Sequence, residues 1–360
     1  MKKILYIMHV DWAWIKQRPH FIAEGLSENF QLKVIHFRSK HYLFKKTESK
    51  GELSISSAFR LPYYENEIIY NLNKIYLRFY FVRLIKKFKP DYIWITFPQL
   101  YDYIPSNLDC KIIYDCMDLP TGFDFSDDFN VKILDSEERL VNDASLVLAS
   151  SNYLFKRLNI KYQCKDKLFL VRNAFDGEFI KDSTEKRPVK PYKIGYVGTI
   201  SKWIDFRKIK KTLDEIEDME YHFIGPIELK NVLIEDRIKF YGTIEHKELY
   251  DHVKDFDCFV MPFKINELIQ SVDPVKIYEY INFDKPIISV YYKELEYFSN
   301  FIYFYSNTEE LLELLYQMVN KGFLRKYSNE ERVKFLKKNS WDVRVKEIQD
   351  LLMKSMKKLN

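Results

Sequence analysis

Two pairs of charged side chains have the types and spacing that could bind an anion or move a proton. Lys276 and Glu279 are three residues apart in a segment with helical character, so both lie on one face of the predicted helix. Exposed N–H groups at such a helix start attract phosphate oxygens, and the Lys276 ammonium adds positive charge. Asp115 and Asp118 follow a short apolar run, where a carboxylate could act as a general base. A capped surface helix with one ion pair, and two turn aspartates, is the alternative.

Short apolar runs alternate with helical stretches along the chain, and these elements must position the charged residues. The runs are continuous in hydrophobicity, as in strands that are buried on both faces of a parallel sheet. In the first half they are residues 4–10, 32–37, 92–96, 111–114, 146–149 and 168–171. In the second half they are residues 193–197, 220–224, 238–241, 258–261, 286–290 and 302–305. The pattern predicts an α/β protein with two Rossmann-like, doubly wound domains.

Chain length and a polar linker predict where the domains divide. The 360 residues exceed the size at which one hydrophobic core usually stops growing. Residues 181–191 are polar, contain two prolines and lack periodicity, which indicates a linker. We therefore assign residues 1–185 to an N-terminal domain and 186–338 to a C-terminal domain, and expect residues 339–360 to form a helix that packs back on the first. Because ligands of such sheets bind at the carboxyl ends of the strands, the expected site is a central cleft that the two domains face.

Composition excludes several classes of protein. The 57 basic and 52 acidic residues give a net charge of +5, too evenly mixed to predict a nucleic-acid partner. The four cysteines have neither zinc-binding nor disulfide-framework spacing, which favours a reducing cytoplasm. No apolar run reaches the ~18–20 residues that cross a bilayer, so any membrane contact is expected to be peripheral. Residues 74–89 are aromatic and basic with helical spacing, and form either a domain helix with a solvated face or a surface that lies on the anionic inner membrane.

The segment around Glu279 resembles the nucleotide-binding core of GT-B glycosyltransferases. Residues 273–289 begin Asp-Pro-Val-Lys-Ile-Tyr-Glu-Tyr and, after a short loop, continue Lys-Pro-Ile-Ile-Ser. The family pattern is P-x-K-x-x-E-Y followed by K-P-V-V, and its glutamate binds the ribose hydroxyls of the nucleotide. The resemblance assigns that role to Glu279. Many members have another acidic residue eight positions earlier, where this chain has Ser271, and Glu267 or Asp273 could substitute for it.

Further motifs in the second half follow in the family's order. The sequence Ile-Gly-Tyr-Val-Gly-Thr-Ile resembles the first strand of the family's C-terminal domain, where Gly198 would let the backbone approach the diphosphate. Thr199 follows it in the same donor site, and Lys202 or Arg207 could neutralise the diphosphate. The resemblance places the nucleobase near the loop 243–246, which begins with Thr243.

The first half carries a motif from one bacterial branch of the same family. Its residues Asp-Trp-Ala-Trp-Ile-Lys-Gln-Arg-Pro-His resemble a branch in which tryptophans and a Q-R-P-H helix start replace the usual glycine-rich loop. That branch includes enzymes that make teichuronic acid or xanthan. Trp12 and Trp14 could stack on an acceptor sugar, while Arg18 and His20 could bind the acceptor or a phosphate. The alternative is structural, with core tryptophans and a helix cap.

The catalytic group and the need for metal follow from the same resemblance. Retaining enzymes of the commonest large GT-B family usually carry a histidine near Asp115 and Asp118, and this chain has none there. Either aspartate could instead deprotonate the acceptor hydroxyl in an inverting displacement, so the stereochemical outcome stays open. The D-x-D sequence Asp255-Phe-Asp257 precedes its strand, the wrong end for a metal site. Since GT-B enzymes stabilise the leaving diphosphate with helix dipoles and basic side chains, we expect a metal-independent reaction without a cofactor.

Together these features predict a glycosyltransferase. The expected donor is a nucleotide sugar, with UDP favoured because uridine is the commonest base in the resembling branch. The expected acceptor is a glycan or a lipid-linked saccharide in bacterial surface polysaccharide synthesis, such as capsule or O-antigen. The alternatives are a non-catalytic sugar-nucleotide-binding partner and a GT-B sugar-nucleotide epimerase, although no cluster of acids and histidines suited to an epimerase is visible. A nicotinamide-dependent Rossmann enzyme is disfavoured because no G-x-G-x-x-G follows a strand.

Overall fold

Two compact units make up the part of the chain that the structure describes. The structure is a computed structural model, and it describes residues 1–38, 53–180, 188–231 and 233–357. The first unit comprises Met1–Asn173 with Trp341–Asn360, and the second comprises Ala174–Ser340. The division therefore precedes residue 174, and the boundary placed at 185/186 from the sequence has to be corrected.

Hydrogen bonds within the second unit explain this earlier division. The Phe175 N–H donates to the Asn339 carbonyl at 2.7 Å, and the Ile180 N–H donates to the Asn282 side chain at 3.3 Å. Residues between these points are thus attached to the second unit before the polar segment begins. Of the predicted linker, residues 181–187 lie outside the described residues.

The first unit contains a seven-stranded parallel sheet with the strand order β3-β2-β1-β4-β5-β6-β7. Its strands are β1 Lys3–Met8, β2 Gln31–Phe37, β3 Leu53–Ala58, β4 Tyr92–Ile95, β5 Lys111–Cys116, β6 Ala144–Ala149 and β7 Leu168–Leu170. Its helices before the second unit are α1 Arg18–Leu26, α2 Glu67–Phe88, α3 Asp127–Asp143 and α4 Asn152–Tyr162, with 3-10 turns at Pro98–Tyr103 and Lys165–Lys167.

The second unit contains a six-stranded parallel sheet with the strand order β10-β9-β8-β11-β12-β13. Its strands are β8 Tyr192–Val197, β9 Met219–Ile224, β10 Ile238–Phe240, β11 Cys258–Met261, β12 Ile287–Val290 and β13 Ile302–Tyr305. Its helices are α5 Phe206–Glu215, α6 His246–Val253, α7 Glu267–Ser271, α8 Val275–Asn282, α9 Thr308–Lys321 and α10 Asn329–Lys338, with a 3-10 turn at Lys293–Phe298.

The predicted α/β class with two parallel sheets is confirmed. Central strands such as β1 and β12 are buried along nearly their whole length, because helices cover both faces of each sheet. Every apolar run taken as a strand from the sequence overlaps one. The sequence missed β3, whose residues Leu-Ser-Ile-Ser-Ser-Ala lie at the sheet edge and are buried only at the two ends of the strand. An edge strand of this kind has no continuous apolar run.

The last helix, α11 (Trp341–Lys357), packs on α1 of the first unit. The rings of Phe21 and Trp341 stack with their centroids 4.9 Å apart. A Cβ atom at Gly25 would lie 2.5 Å from Val345 Cγ2, so only glycine lets the two helices approach this closely. The segment predicted from residue 339 as a closing helix thus begins at Trp341 and contacts the first unit.

Helix α2 is 22 residues long and carries the aromatic, basic stretch noted in the sequence. Asn66 caps it, since its side chain accepts hydrogen bonds from the N–H groups of Ile68 and Ile69. It ends at Lys89, which adopts the left-handed conformation with φ 52°. Across the described ranges, no helix combines the length and apolar character needed to span a membrane.

Candidate functional site

The switch point of the second sheet lies between β8 and β11. From this pair, successive strands of the chain are added outward on one side as β9 and β10, and on the other side as β12 and β13. Ligands of open α/β sheets bind at the carboxyl ends of the strands at such a point. There the two following loops are joined by backbone hydrogen bonds of 2.7 Å, from Asp205 N–H to the Pro262 carbonyl and from Lys264 N–H to the Trp203 carbonyl. The loops therefore form one continuous wall, and Lys202 is exposed within it.

Gly198 and Gly225 bring the ends of β8 and β9 together. A Cβ atom on Gly225 would lie 2.1 Å from the Gly198 carbonyl oxygen, and both residues have positive φ, 142° and 149° respectively. Side chains at these positions would clash or be strained, so the pair fixes the backbone at the strand ends. Gly198 and Thr199 are half-buried there, and Thr243 is exposed beyond the end of β10. Their contacts with a nucleotide stay predictions.

Glu279 lies on α8 between the Lys276 ammonium and the His246 imidazole. Its carboxylate is 3.0 Å from Lys276 Nζ and 3.7 Å from His246 Nε2 at the start of α6. Burial raises the pKa of Glu279, but Lys276 and His246 outweigh this effect and leave the pKa below its ordinary value. The Glu279 contact in turn raises the pKa of His246 against its partial burial. The carboxylate is therefore ionised, and its side chain remains 12% exposed.

Tyr280 fixes the position of α8 against β8. Its hydroxyl accepts a hydrogen bond from the Val197 N–H at 2.8 Å and donates one to the Val197 carbonyl at 3.1 Å. The ring stacks on Phe259 of β11, with centroids 4.3 Å apart. The residue next to Glu279 is thus anchored to both strands of the switch point.

The start of α8 and the residues before it determine which acidic side chains can reach a ligand. Pro274 is the N-cap residue, and the helix begins at Val275. Ser271 is 1% exposed, and its hydroxyl donates to the Leu268 carbonyl at 2.7 Å, as is common near a helix end. Asp273 is equally buried, whereas Glu267 is exposed in the first turn of α7. Glu267 is therefore the more accessible of the two proposed substitutes.

The switch point of the first sheet, between β1 and β4, carries a histidine that the sequence analysis did not select. The His9 N–H donates to Thr96 Oγ1 at 3.2 Å, and His9 Nδ1 lies 2.9 Å from the same oxygen. The imidazole packs on Phe97 with a centroid separation of 5.1 Å. Burial, with a smaller effect of Arg60, lowers the pKa of His9 to about 4, so the ring is neutral near pH 7. The sequence signal that could have identified His9 is its position directly after the first strand, where ligands of parallel sheets bind.

Arg18 and Asp115 form a buried ion pair, which corrects both of their predicted roles. Arg18 Nε and Nη2 donate to Asp115 Oδ1 at 3.0 and 2.8 Å, and the side chains are 2% and 0% exposed. The remaining Arg18 nitrogen donates to the Val171 carbonyl at 2.8 Å and to Asn173 at 3.4 Å. Since the guanidinium is fully engaged and neither group reaches solvent, Arg18 does not bind an acceptor and Asp115 is not a general base.

His20 also has a structural role instead of the predicted acceptor contact. It is 3% exposed, and its Nδ1 accepts a hydrogen bond from the Gln17 N–H at 3.2 Å at the start of α1. The other ring nitrogen lies 3.3 Å from the Trp12 carbonyl, and the two rings pack at 4.8 Å. Trp12 is half-buried by this contact, while Trp14 remains 37% exposed. Of the four residues, the tryptophans alone keep surface for a ligand.

Asp118 differs from Asp115 although it is only three residues away. It is half-buried after the end of β5, and no side chain of the described residues hydrogen-bonds its carboxylate. Burial raises the pKa of Asp118 to about 6, because the attraction of Arg18 only partly offsets it and the Asp115 charge adds to it. A carboxylate with such a pKa suits a general base at neutral pH.

Comparison with known proteins supports the resemblance noted in the sequence. No model of a known protein family matches the chain. TuaH of Bacillus subtilis (strain 168), provisionally named a teichuronic acid biosynthesis glycosyltransferase, is 24% identical over 221 residues. The match covers 54% of this chain and 54% of TuaH, so it spans about half the length of that relative.

Solved structures match nearly the whole chain. Sucrose-phosphate synthase from Thermosynechococcus elongatus matches with a TM-score of 0.76 and 12% identity, over 98% of this chain and 99% of that one. HepE of Anabaena, in complex with UDP and glucose, matches with a TM-score of 0.66 and 13% identity, over 98% and 100% of the two chains. The chain has the GT-B fold. The strand order, the glycines and Glu279 therefore occur within the fold that the motifs predicted.

The described residues of this GT-B chain do not form a metal centre. Within residues 1–38, 53–180, 188–231 and 233–357, no group of three or more His, Cys, Asp or Glu side chains is placed to hold a metal ion. Asp257, which directly precedes β11, has a structural role. Its carboxylate accepts a hydrogen bond from the Lys193 N–H at 2.7 Å. Metal independence stays a prediction.

Proposed function

We propose that this protein is a glycosyltransferase that moves a sugar from a nucleotide-sugar donor to a glycan or lipid-linked acceptor. The observation that carries the proposal is the ionised Glu279 carboxylate, which lies beside Lys276 and His246 on the second unit. It occupies the position that the GT-B resemblance assigns to ribose binding. HepE, a structural neighbour, was solved with UDP and with UDP-glucose, which supports UDP as the nucleotide.

The proposed donor site uses the switch point of the second sheet. Glu279 accepts hydrogen bonds from the ribose hydroxyls, and the Gly198 backbone approaches the diphosphate. The N-cap residue Pro274 makes no side-chain hydrogen bond to the first turn of α8, and we propose that this turn faces the diphosphate. Lys276 and the exposed Lys202 supply positive charge to the leaving diphosphate.

We propose Asp118 as the general base. Its carboxylate removes the proton of the acceptor hydroxyl as the acceptor oxygen bonds to the anomeric carbon and the bond to the diphosphate breaks. The outcome is inversion at the anomeric carbon. The pKa of about 6 keeps Asp118 ionised at neutral pH while leaving it basic enough to accept the proton.

The similarity to TuaH supports an acceptor from bacterial surface polysaccharide synthesis, of the teichuronic acid kind. Nucleotide sugars are cytoplasmic substrates, so we place the reaction in the cytoplasm, at the inner face of the membrane when the acceptor is lipid-linked. Trp14 and Trp12 are proposed acceptor contacts because their rings offer apolar faces to a sugar.

Calorimetric titration with UDP, GDP and several nucleotide sugars, without divalent metal, tests the donor site. We expect UDP to bind most tightly of these ligands. The control variant Glu248→Ala, in the first turn of α6, should bind UDP as the wild type does, whereas Glu279→Ala should bind it more weakly. Absence of binding to every nucleotide would overturn the proposal.

A second measurement separates the transferase from its alternatives. With an acceptor mixture of lipid-linked saccharides, the transferase releases UDP only when acceptor is present. A partner protein without catalytic activity binds nucleotide but never releases UDP from the donor. An epimerase interconverts free sugar nucleotides without acceptor.

A further inference from the structure

Helix α2 has two apolar faces, and one of them is open to solvent. Its inner face packs through Tyr70, Leu77 and Phe81, which are at most 7% exposed. The opposite face carries large apolar side chains that are 52–71% exposed, namely Ile68, Leu72, Ile75 and Phe79. Isolated exposed apolar residues are normal on a protein surface, but a contiguous group indicates an interaction site.

The four exposed residues form a row along the helix axis. Their spacings of four, three and four residues place them within about 60° of one another around the helix, over a length of about 17 Å. The row continues in the same register with Arg83 and Lys86, so its C-terminal part is cationic. The Arg83 guanidinium lies over the Phe79 ring at 4.5 Å from the centroid, which joins the apolar and cationic parts.

The charge of α2 complements an anionic surface. The helix has five cationic residues and a single carboxylate, Glu67. Arg78, Arg83, Lys86 and Lys87 are all exposed. A second copy of this helix would bring only one carboxylate to meet five cations. Anionic lipid headgroups can neutralise all of them, while the acyl boundary takes the apolar row.

We propose that the outer row of α2, formed by Ile68, Leu72, Ile75, Phe79, Arg83 and Lys86, docks the protein on an anionic bilayer. The helix lies in the plane of the interface, with the apolar side chains in the headgroup–acyl boundary and the cations at the phosphates. This proposal rests on the proposed function and extends it, because docking brings the transferase to a membrane-borne acceptor. The sequence stretch 74–89 contained only the later part of this row.

Vesicle flotation of the full chain tests the proposal. The vesicles contain either phosphatidylcholine alone or phosphatidylcholine with phosphatidylglycerol. We expect flotation with the phosphatidylglycerol vesicles only, and weaker flotation at high salt. Ile75→Ser with Phe79→Ser is expected to lower the partition coefficient at least about tenfold, because both side chains lose apolar burial in the bilayer. Replacing Arg83, Lys86 and Lys87 by Gln is expected to abolish the preference for anionic vesicles.

Ile160→Ser is the matched control, since Ile160 is 79% exposed on α4, away from the row, and flotation is expected to be unchanged. Circular dichroism and thermal unfolding show whether the Ile75→Ser/Phe79→Ser variant is folded, and UDP titration of it separates the two proposals. Normal UDP binding with lost flotation supports docking by α2, and flotation without UDP binding supports docking while removing the proposed function. Docking by α2 is wrong if the wild type does not float, or if the double variant floats like the wild type. It is also wrong if α2 instead mediates self-association in vesicle-free solution that the double variant loses.

Discussion

The two units each carry a carboxylate paired with a cation near the carboxyl end of a sheet, but only one pair is open to a ligand. In the first unit, Arg18 and Asp115 are 2% and 0% exposed. In the second, Lys276 and Glu279 are 36% and 12% exposed. The same chemical types therefore perform a structural task in one unit and form a candidate binding site in the other.

The type of cation accounts for much of this difference. The Arg18 fork contacts both oxygens of Asp115 and two further acceptors, so it has no capacity left for a ligand. The Lys276 ammonium is a compact charge on a flexible stem, and a nucleotide can replace its contact with Glu279 at little cost. The type of cation thus acts through the number of donors already used, and together with burial it decides whether a charged pair can bind a ligand.

The largest expected effect concerns Asp118, the half-buried neighbour of Asp115. Asp118→Asn is expected to lower kcat about 10²–10⁴-fold, because the amide cannot accept the proton, while UDP affinity stays unchanged. Since the raised pKa of Asp118 is about 6, kcat of the wild type should rise with pH through that value and level off above it. Initial rates over a pH series measure both effects. Normal turnover by Asp118→Asn would place the base elsewhere.

The buried pair of the first unit predicts the next effect. Arg18→Ala leaves Asp115 buried without its partner and is expected to lower the free energy of unfolding by about 3–5 kcal/mol. The double variant Arg18→Met with Asp115→Leu removes both charges, so its free energy of unfolding should fall by less than that of Arg18→Ala. Urea unfolding measures both variants. If Arg18→Ala keeps wild-type stability but raises the acceptor KM, Arg18 binds the acceptor and its role is not structural.

The open pair of the second unit predicts the reverse result. Glu279→Ala is expected to weaken UDP binding by about 1.5–3 kcal/mol, the worth of hydrogen bonds to a charged group. Its effect on unfolding should stay below about 1 kcal/mol, because the lost ion pair reaches solvent. Calorimetry and urea unfolding of the same sample give the two values. A large loss of stability with unchanged affinity would make this pair structural as well.

The smallest effect is expected at His246. The Glu279 contact raises the pKa of His246, so the pair stabilises the fold at pH values below that raised pKa and loses its effect as pH rises through it. His246→Ala should therefore be less stable than the wild type by under about 1 kcal/mol at mildly acidic pH and equal to it at alkaline pH. Thermal unfolding at two pH values checks this. A difference that persists at alkaline pH would point to lost packing instead.

The sequence predicted what depends on local pattern. Apolar runs identified the strands with continuous buried faces, and Glu279 was found because it lies with Lys276 in one short motif that resembles a known family. The Arg18–Asp115 pair joins residues 97 positions apart, and nothing local marks either side chain as buried. The contacts of His9 with Thr96 and of His246 with Glu279 were not predicted for the same reason, since they depend on which strands become neighbours.

The packing of α11 on α1 also determines when the first unit can be finished during synthesis. The ribosome adds Trp341 only after it has made all of the second unit, so the Phe21 and Gly25 surface of α1 waits for its partner throughout that time. Domains generally fold in order as they emerge from the ribosome. Here the unit that is made first completes its packing last.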